Sequence, residues 1–251
     1  MVSNPELLQK ELAQLNQKAA SLYQELVEHY GKYVKQLGTS AQKFMVQTCF
    51  ELCTERHPQE FLKLPLSQRQ TLQQDLQRLG LRLMENLQEA FQSTLEQNPP
   101  EGDPPSEIMD HLFRFERSLA QILRETSYRV NRLLEQHGIL AIKSLEALFE
   151  IAAKAEEAGR SITNPPFLLK AIVDMKEDEE EPVRPLTALY LQIGDLEFAD
   201  SVLLEARRPI RQLWQRLTQL EQTYQQKLGK LTIAQAAAAW RASWFPYESE
   251  K

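Results

Sequence analysis

Residues Ser106–Ala158 read SEIMDHLFRFERSLAQILRETSYRVNRLLEQHGILAIKSLEALFEIAAKAEEA. Leu112, Phe115, Leu119, Ile122, Tyr128, Leu133, Ile139, Ile142, Leu145, Leu148, Phe149 and Ala152 return mostly every three or four positions. That step keeps side chains on one face of a helix. The stretch is the longest and most apolar helical pattern in the chain, and it decides the fold class: all-α. Ser106 is expected to cap it, His137–Gly138 to bend or divide it, and Gly159 to close it.

The N-terminal side carries the same pattern. Ser3 and Glu6 make a capping-box pair around Pro5. Leu8, Leu12, Leu15, Ala19, Leu22, Leu26, Tyr30, Tyr33 and Leu37 then step by four and three, close to a heptad seam. Gly38 is expected to end this first helix. A second helix follows from Ser40 to Arg56, with Phe44, Met45, Cys49, Leu52 and Cys53 inward and Pro58 as its stop. The connector HPQEFLKLPL pins itself to the core through Phe61, Leu62, Leu64 and Leu66. Ser67 and Gln70 open a third helix, which carries Gly80 in its interior at a cost of ~1 kcal/mol relative to Ala. NPPEGDPP, residues Asn98–Pro105, cannot continue a helix and is the clearest break.

On the C-terminal side, Asn164 and Pro165 should start a short helix, PPFLLKAIVDMK. The acidic run Glu177–Glu181 reads as a solvated loop without the spaced ligands of a calcium site. No alternation of β-branched residues points to a strand. Leu189–Ala206 reads as helix, tight turn, helix, with the turn at Gly194 and Asp195 as the following cap. Ile193–Ala199 (IGDLEFA) aligns with Leu228–Ala234 (LGKLTIA), a weak repeat of the same corner, and Pro209 between them should kink or restart the helix. Tyr190, Gly194, Ala199, Leu203 and Ala206 resemble about half of a tetratricopeptide-repeat unit, which would imply stacked helical hairpins. The second copy needs a one-residue insertion and no third is present, whereas such repeats stack in threes or more. The expectation is therefore a multi-helix bundle of long amphipathic helices with a smaller C-terminal helical-hairpin region. Its segments are 1–97, the Pro-rich loop 98–105, the central helices 106–176, the acidic loop 177–185, and a hairpin with an aromatic tail over 186–251.

Composition narrows the function without naming it. Of 251 residues, 25% are charged with a formal net charge of −6, which argues against a nucleic-acid protein needing a basic face. No apolar run reaches the ~18–20 residues of a membrane span. MVSNPELLQKEL lacks the basic and apolar regions of a signal peptide, so a cytoplasmic location is expected. Cys49 and Cys53, four apart on a helix, read as small buried apolar residues; the spacing is not CxxC. His29, His57, His111 and His137 are the only histidines. Glu25–His29 and Glu107–His111 miss the Glu-x-x-His spacing of a bundle di-metal site. HExxH, P-loop, GxGxxG and GxSxG motifs are absent. No cofactor, metal or catalytic residue is expected.

Two features suggest contact. Trp240, Trp244 and Phe245 crowd the C-terminal end beside Tyr247, and the tryptophans share a helix face one turn apart. Arg207, Arg208, Arg211 and Arg216 form a basic cluster suited to phosphates or acidic partners, or to pairing with the acidic loop. The function read from these residues is a non-catalytic scaffold or adaptor that binds another protein. Its contact residues are Trp240, Trp244, Phe245, Arg207, Arg208 and Arg211, with a homodimer as one form of that contact. The alternative is a bundle enclosing an apolar ligand or cofactor, with an enzyme as one form of it, and a weaker one is a nucleic-acid regulator acting through the arginines.

Overall fold

A computed structural model describes residues 4–97, 102–140, 145–157, 163, 166–171 and 186–244. Helix α1, Pro5–Glu51, continues into a π turn at Leu52–Arg56, and the short α2, Pro58–Lys63, leads to α3, Leu66–Phe91, which ends in a second π turn, Gln92–Glu96. Helix α4 is Pro105–Gln136 and α5 is Leu145–Glu157. Strands β1, Leu168–Ala171, and β2, Leu186–Leu189, precede α6, Ile193–Ala199, and α7, Ser201–Ala242. The fold is an all-α bundle of long helices with one small hairpin sheet. No helix among the described residues is long and apolar enough to cross a membrane.

The helices form for the reasons the periodicity implies. Along α4, Ile108, Leu112, Phe115, Leu119, Leu123, Val130 and Leu134 are all buried. They meet the stripe Leu22, Leu26, Tyr30, Tyr33 and Leu37 of α1, and Leu83, Leu87 and Phe91 of α3, in one core. Isolated helices are marginal in water, so burial of these stripes is what holds them. Gly138, at φ +68°, ends α4 as expected.

Several boundaries differ from the sequence expectation. Asn4 caps α1 by accepting from the Glu6 N–H at 3.0 Å; Ser3 lies outside the described residues. Pro104 and Pro105 start α4 and leave Ser106 inside it. Gly38 does not end the first helix, which runs on as one element to Glu51. The reason is close packing: a Cβ on Gly38 would meet Met84 of α3 at 3.3 Å, and one on Gly31 would meet the Phe91 ring at 3.1 Å. Gly80 does the same from α3, with Gln42 at 2.8 Å and Met45 at 3.2 Å. These glycines let α1 and α3 approach. In the connector, Leu62 and Leu66 are exposed and only Phe61 and Leu64 pack on the core.

This packing makes the sign of one mutation diagnostic. Alanine in place of an exposed mid-helix glycine adds up to ~1 kcal/mol of stability. Gly80→Ala is instead expected to destabilise by about 1–2 kcal/mol, because the methyl overpacks the crossing. Urea denaturation reads the sign directly, and a gain in stability would mean the crossing has slack.

The segment expected as helix from Asn164 contains strand β1, which pairs antiparallel with β2 in the register Leu168 to Leu189 and Ala171 to Leu186. The strands, LLKA and LTAL, are too short and too mixed to show a period of two. The second edge of β2 is closed by α4. Asn131 Nδ2 donates to the Leu189 carbonyl at 2.7 Å and its Oδ1 accepts from the Leu189 N–H at 2.8 Å. The Ser127 hydroxyl accepts from the Leu191 N–H at 2.9 Å. Two side chains thus stand in for a third strand.

The C-terminal corner also moves. Gly194 lies inside α6, and the chain turns at Asp200, whose Oδ1 caps α7 at the Val202 and Leu203 N–H groups. Asp195 caps nothing; its carboxylate accepts from the Thr163 hydroxyl and the Phe167 N–H. The second corner is absent, because Gly229 sits within an unbroken α7. Pro209 is accommodated without ending the helix. With one corner and no stacked pair, the tetratricopeptide resemblance does not extend to this fold.

Candidate functional site

Helices α1 and α7 run antiparallel, and three regions follow one another along them. At one end Asp200 Oδ2 accepts from the Ser40 hydroxyl at 2.5 Å and from Gln36 Nε2 at 3.2 Å. The Ser40 hydrogen bond, more than any other cause, holds the Asp200 carboxyl below its usual range. In the middle lies a polar core. At the far end, Leu8 and Leu12 form a separate small core with Leu231 and Ala234, edged by Tyr224. Lys227 pairs with Glu11 there at 2.6 Å. Among the described residues only α1 and α7 contribute to this small core; the Gly102 carbonyl, just before α4, accepts from Asn16 at 3.5 Å. The two helices therefore continue past the bundle as a two-helix arm.

That arm presents an uncovered apolar face. Carried on in the same register, Trp240 and Trp244 lie beyond the level of Pro5. They are 68% and 70% exposed, with ring centroids 6.1 Å apart. Ile233 is 70% exposed. Ile233, Ala237, Trp240 and Trp244 follow one another by four, three and four, a heptad seam. At 100° per residue the centre of this seam lies about 120° round α7 from Leu231 and Ala234. From Leu231 to Trp240 the helix carries no charged residue. Phe245 and the acidic run lie outside the described residues.

The three arginines named with the tail lie far from it along α7, and Arg207 does not share the exposed surface of Arg208 and Arg211. Along α7, Arg207 and Trp240 are about 50 Å apart at 1.5 Å per residue. Arg207 turns inward: its side chain is 16% exposed, Nη1 meets Glu116 at 2.7 Å, and Nε meets Glu197 at 3.4 Å. Arg211 closes on the other oxygen of Glu197 at 2.5 Å. Arg208 points to solvent and pairs with Glu205 at 3.2 Å. Tyr30 donates to Glu116, Tyr33 to Glu197 at 2.8 Å, and Trp214 Nε1 to the Tyr30 hydroxyl at 2.8 Å. The Arg207 guanidinium also lies 5.3 Å from the Tyr33 ring centroid. Burial disfavours its charge, but the hydrogen bond and attraction of Glu116 outweigh that and keep it protonated. Burial pushes both phenols well above the ordinary tyrosine range, and the neighbouring carboxylates add to the shift. The network ties four helices together, and both phenols and the Arg207 guanidinium stay protonated near neutrality.

Other chemistry-bearing groups are also held in place. Cys49 is buried, with its thiol pushed up by burial, and burial raises Cys53 to about 11; neither is a ready thiolate. Burial lowers His111, whose Nε2 faces the Thr94 carbonyl at 3.0 Å. Tyr23 donates to the Leu95 carbonyl at 2.9 Å, and burial raises its phenol to about 12. The π turn ending α3 frees carbonyls that these two side chains satisfy. Among the described residues no three His, Cys, Asp or Glu gather as a metal site would require.

Two of the surface clefts bear on function. One, about 400 Å³, is apolar and lined by Val46, Phe50, Phe61, Leu72 and Leu76 with the two cysteines. The other, about 410 Å³, lies between α3 and α4; four arginines line it, Arg78, Arg82, Arg129 and Arg132, against one carboxylate, Asp75, and the remaining lining is Leu79, Tyr128, Leu133 and Gln136. The sequence reading missed this second basic cluster. Its only signals were two short arginine spacings, one per helix, and nothing local says that they face each other. No family model, curated protein or solved structure matches this chain.

Proposed function

We propose that the protein is a non-catalytic, intracellular helical adaptor that binds a helix of another protein along the α7 tail. The observation that carries this reading is the seam Ile233, Ala237, Trp240 and Trp244, whose three large side chains are exposed on the two-helix arm. A helix that is apolar on both sides is expected to be covered on both, and the 4-3-4 spacing is that of helix-on-helix packing. Tryptophan is enriched among residues that dominate binding energy. Alanines between the large residues leave room for a partner's side chains. Two buried, unpaired cysteines fit a reducing compartment. Arg208 and Arg211, the solvent-facing members of the basic cluster, would form a separate charged contact.

Removal of residues 240–251 tests the reading. Capture of the partner should be lost, with far-UV helicity nearly intact and the melting temperature within about 2 °C of the full chain, because exposed side chains carry little stability. A large loss of helicity or of melting temperature would make the tail part of the core. Sedimentation of the purified protein separates two occupants: a mass that doubles with concentration and reverts on truncation identifies a second copy of this chain.

A second reading, an apolar ligand, is favoured by the cleft beneath Val46 and Phe50. Native mass spectrometry of the purified protein tests it. Bound mass that persists in the tail deletion and disappears in Phe50→Glu would support it over the adaptor reading.

A further inference from the structure

The α3/α4 cleft has a character that neither the fold nor the adaptor reading requires. Arg78 and Arg82 sit four apart on one wall, and Arg129 and Arg132 three apart on the other. Like charges at these spacings cost helix stability, and here two such pairs converge across one groove of a chain whose net charge is −6. Arg78 is partly compensated by Asp75 at 2.9 Å, and Arg132 by Glu135 at 2.6 Å. No such account covers Arg82, in the interior of α3, or Arg129. Both are exposed, and neither has an ion-pair or hydrogen-bond partner among the described residues.

We propose that this cleft binds a small phosphorylated ligand, held by Arg82 and Arg129 from opposite walls. The guanidinium fork matches phosphate oxygens two at a time. Forks on facing walls suit a ligand with more than one phosphate group. Leu79 and Leu133 with the Tyr128 ring give the cleft an apolar surface for the ligand's body. A volume of about 410 Å³ is in the range of small-molecule sites. The positive potential between two low-dielectric helices draws an anion in preference to the acidic remainder of the surface.

Isothermal titration of the full chain with inorganic tripolyphosphate at low salt tests the site. One saturable site is expected, weakened about tenfold or more by Arg82→Ser and by Arg129→Ser, since each removes a charge-assisted fork. Arg208→Ser, which removes the same charge elsewhere on the surface, is expected to stay within about twofold. Arg82→Lys keeps the charge without the fork and should fall between wild type and serine. Circular dichroism confirms folding, and the lysine variant supplies the comparison if a serine variant unfolds. Absence of saturable binding by wild type overturns the proposal, as does equal weakening by Arg208→Ser. Vesicles bearing phosphatidic acid form the second arm. Co-sedimentation that the same cleft variants abolish assigns the phosphate to a lipid headgroup; tripolyphosphate binding without co-sedimentation assigns it to a soluble ligand.

Discussion

Arg207→Met should cost about 3–4 kcal/mol and lower the melting temperature by roughly 6–15 °C, the largest effect expected from any single charge removal in this protein. The guanidinium sits between Glu116 and Glu197, whose side chains are only 26% and 7% exposed. Removing it leaves Glu116 without its cation and Glu197 with only the half-exposed Arg211. Uncompensated buried charge makes loss of one partner far costlier than loss of a surface pair. The same reasoning predicts a rescue. Adding Glu116→Gln and Glu197→Gln to Arg207→Met removes both charges and keeps acceptors for the Tyr30 and Tyr33 hydroxyls, so more than half of the lost stability should return. Urea midpoints of the single and triple variants measure this. A loss below about 1 kcal/mol for Arg207→Met would mean that water reaches the carboxylates and that the network is a surface feature.

Asn131→Ala should cost about 2–4 kcal/mol with a local signature. Asn131 is fully buried and exchanges two hydrogen bonds with the backbone of Leu189, which is also fully buried. Alanine leaves both the N–H and the C=O of Leu189 unpaired, and each orphaned buried group costs about 1–3 kcal/mol. A four-residue hairpin is marginal without support on its second edge. Amide exchange should therefore accelerate at Leu169, Leu189 and Leu191 before it does in the centre of α1. Asn131→Asp is not a rescue, because it keeps the acceptor for the N–H but turns a second acceptor toward the Leu189 carbonyl. Unchanged exchange at Leu189 and Leu191 in Asn131→Ala would show that the sheet stands without α4.

The arginines at either end of this picture show why a basic cluster is hard to judge along the chain. Arg207, Arg208 and Arg211 are neighbours in sequence, yet one turns into the core, one faces water and one closes over a carboxylate on α6. Adjacent residues on a helix point in different directions, and the acids that decide their fates come from α4 and α6. Arg82 and Arg129 have the opposite history: far apart in sequence, they line one cleft. The tail tryptophans were legible because their shared face follows from helical spacing alone. Their exposure depended on how far α1 and α4 reach beside them.

By itself the sequence determined that this chain makes long helices, that one ends ahead of Asn98, that α4 ends at Gly138, and that Cys49 and Cys53 are buried. Those outcomes follow from side-chain period, proline, glycine and burial preference, which act within a few residues of themselves. Tertiary structure alone decided that Gly38 and Gly229 continue helices, that Leu168–Ala171 is a strand, and that Arg207 is interior. Each of those depends on a group more than twenty residues away: Met84 against Gly38, Leu8 and Leu12 against the helix around Gly229, Asn131 on the strand pair, Glu116 on Arg207. A backbone takes the local preference unless a buried hydrogen bond or a close contact elsewhere outweighs the ~1 kcal/mol by which such preferences differ.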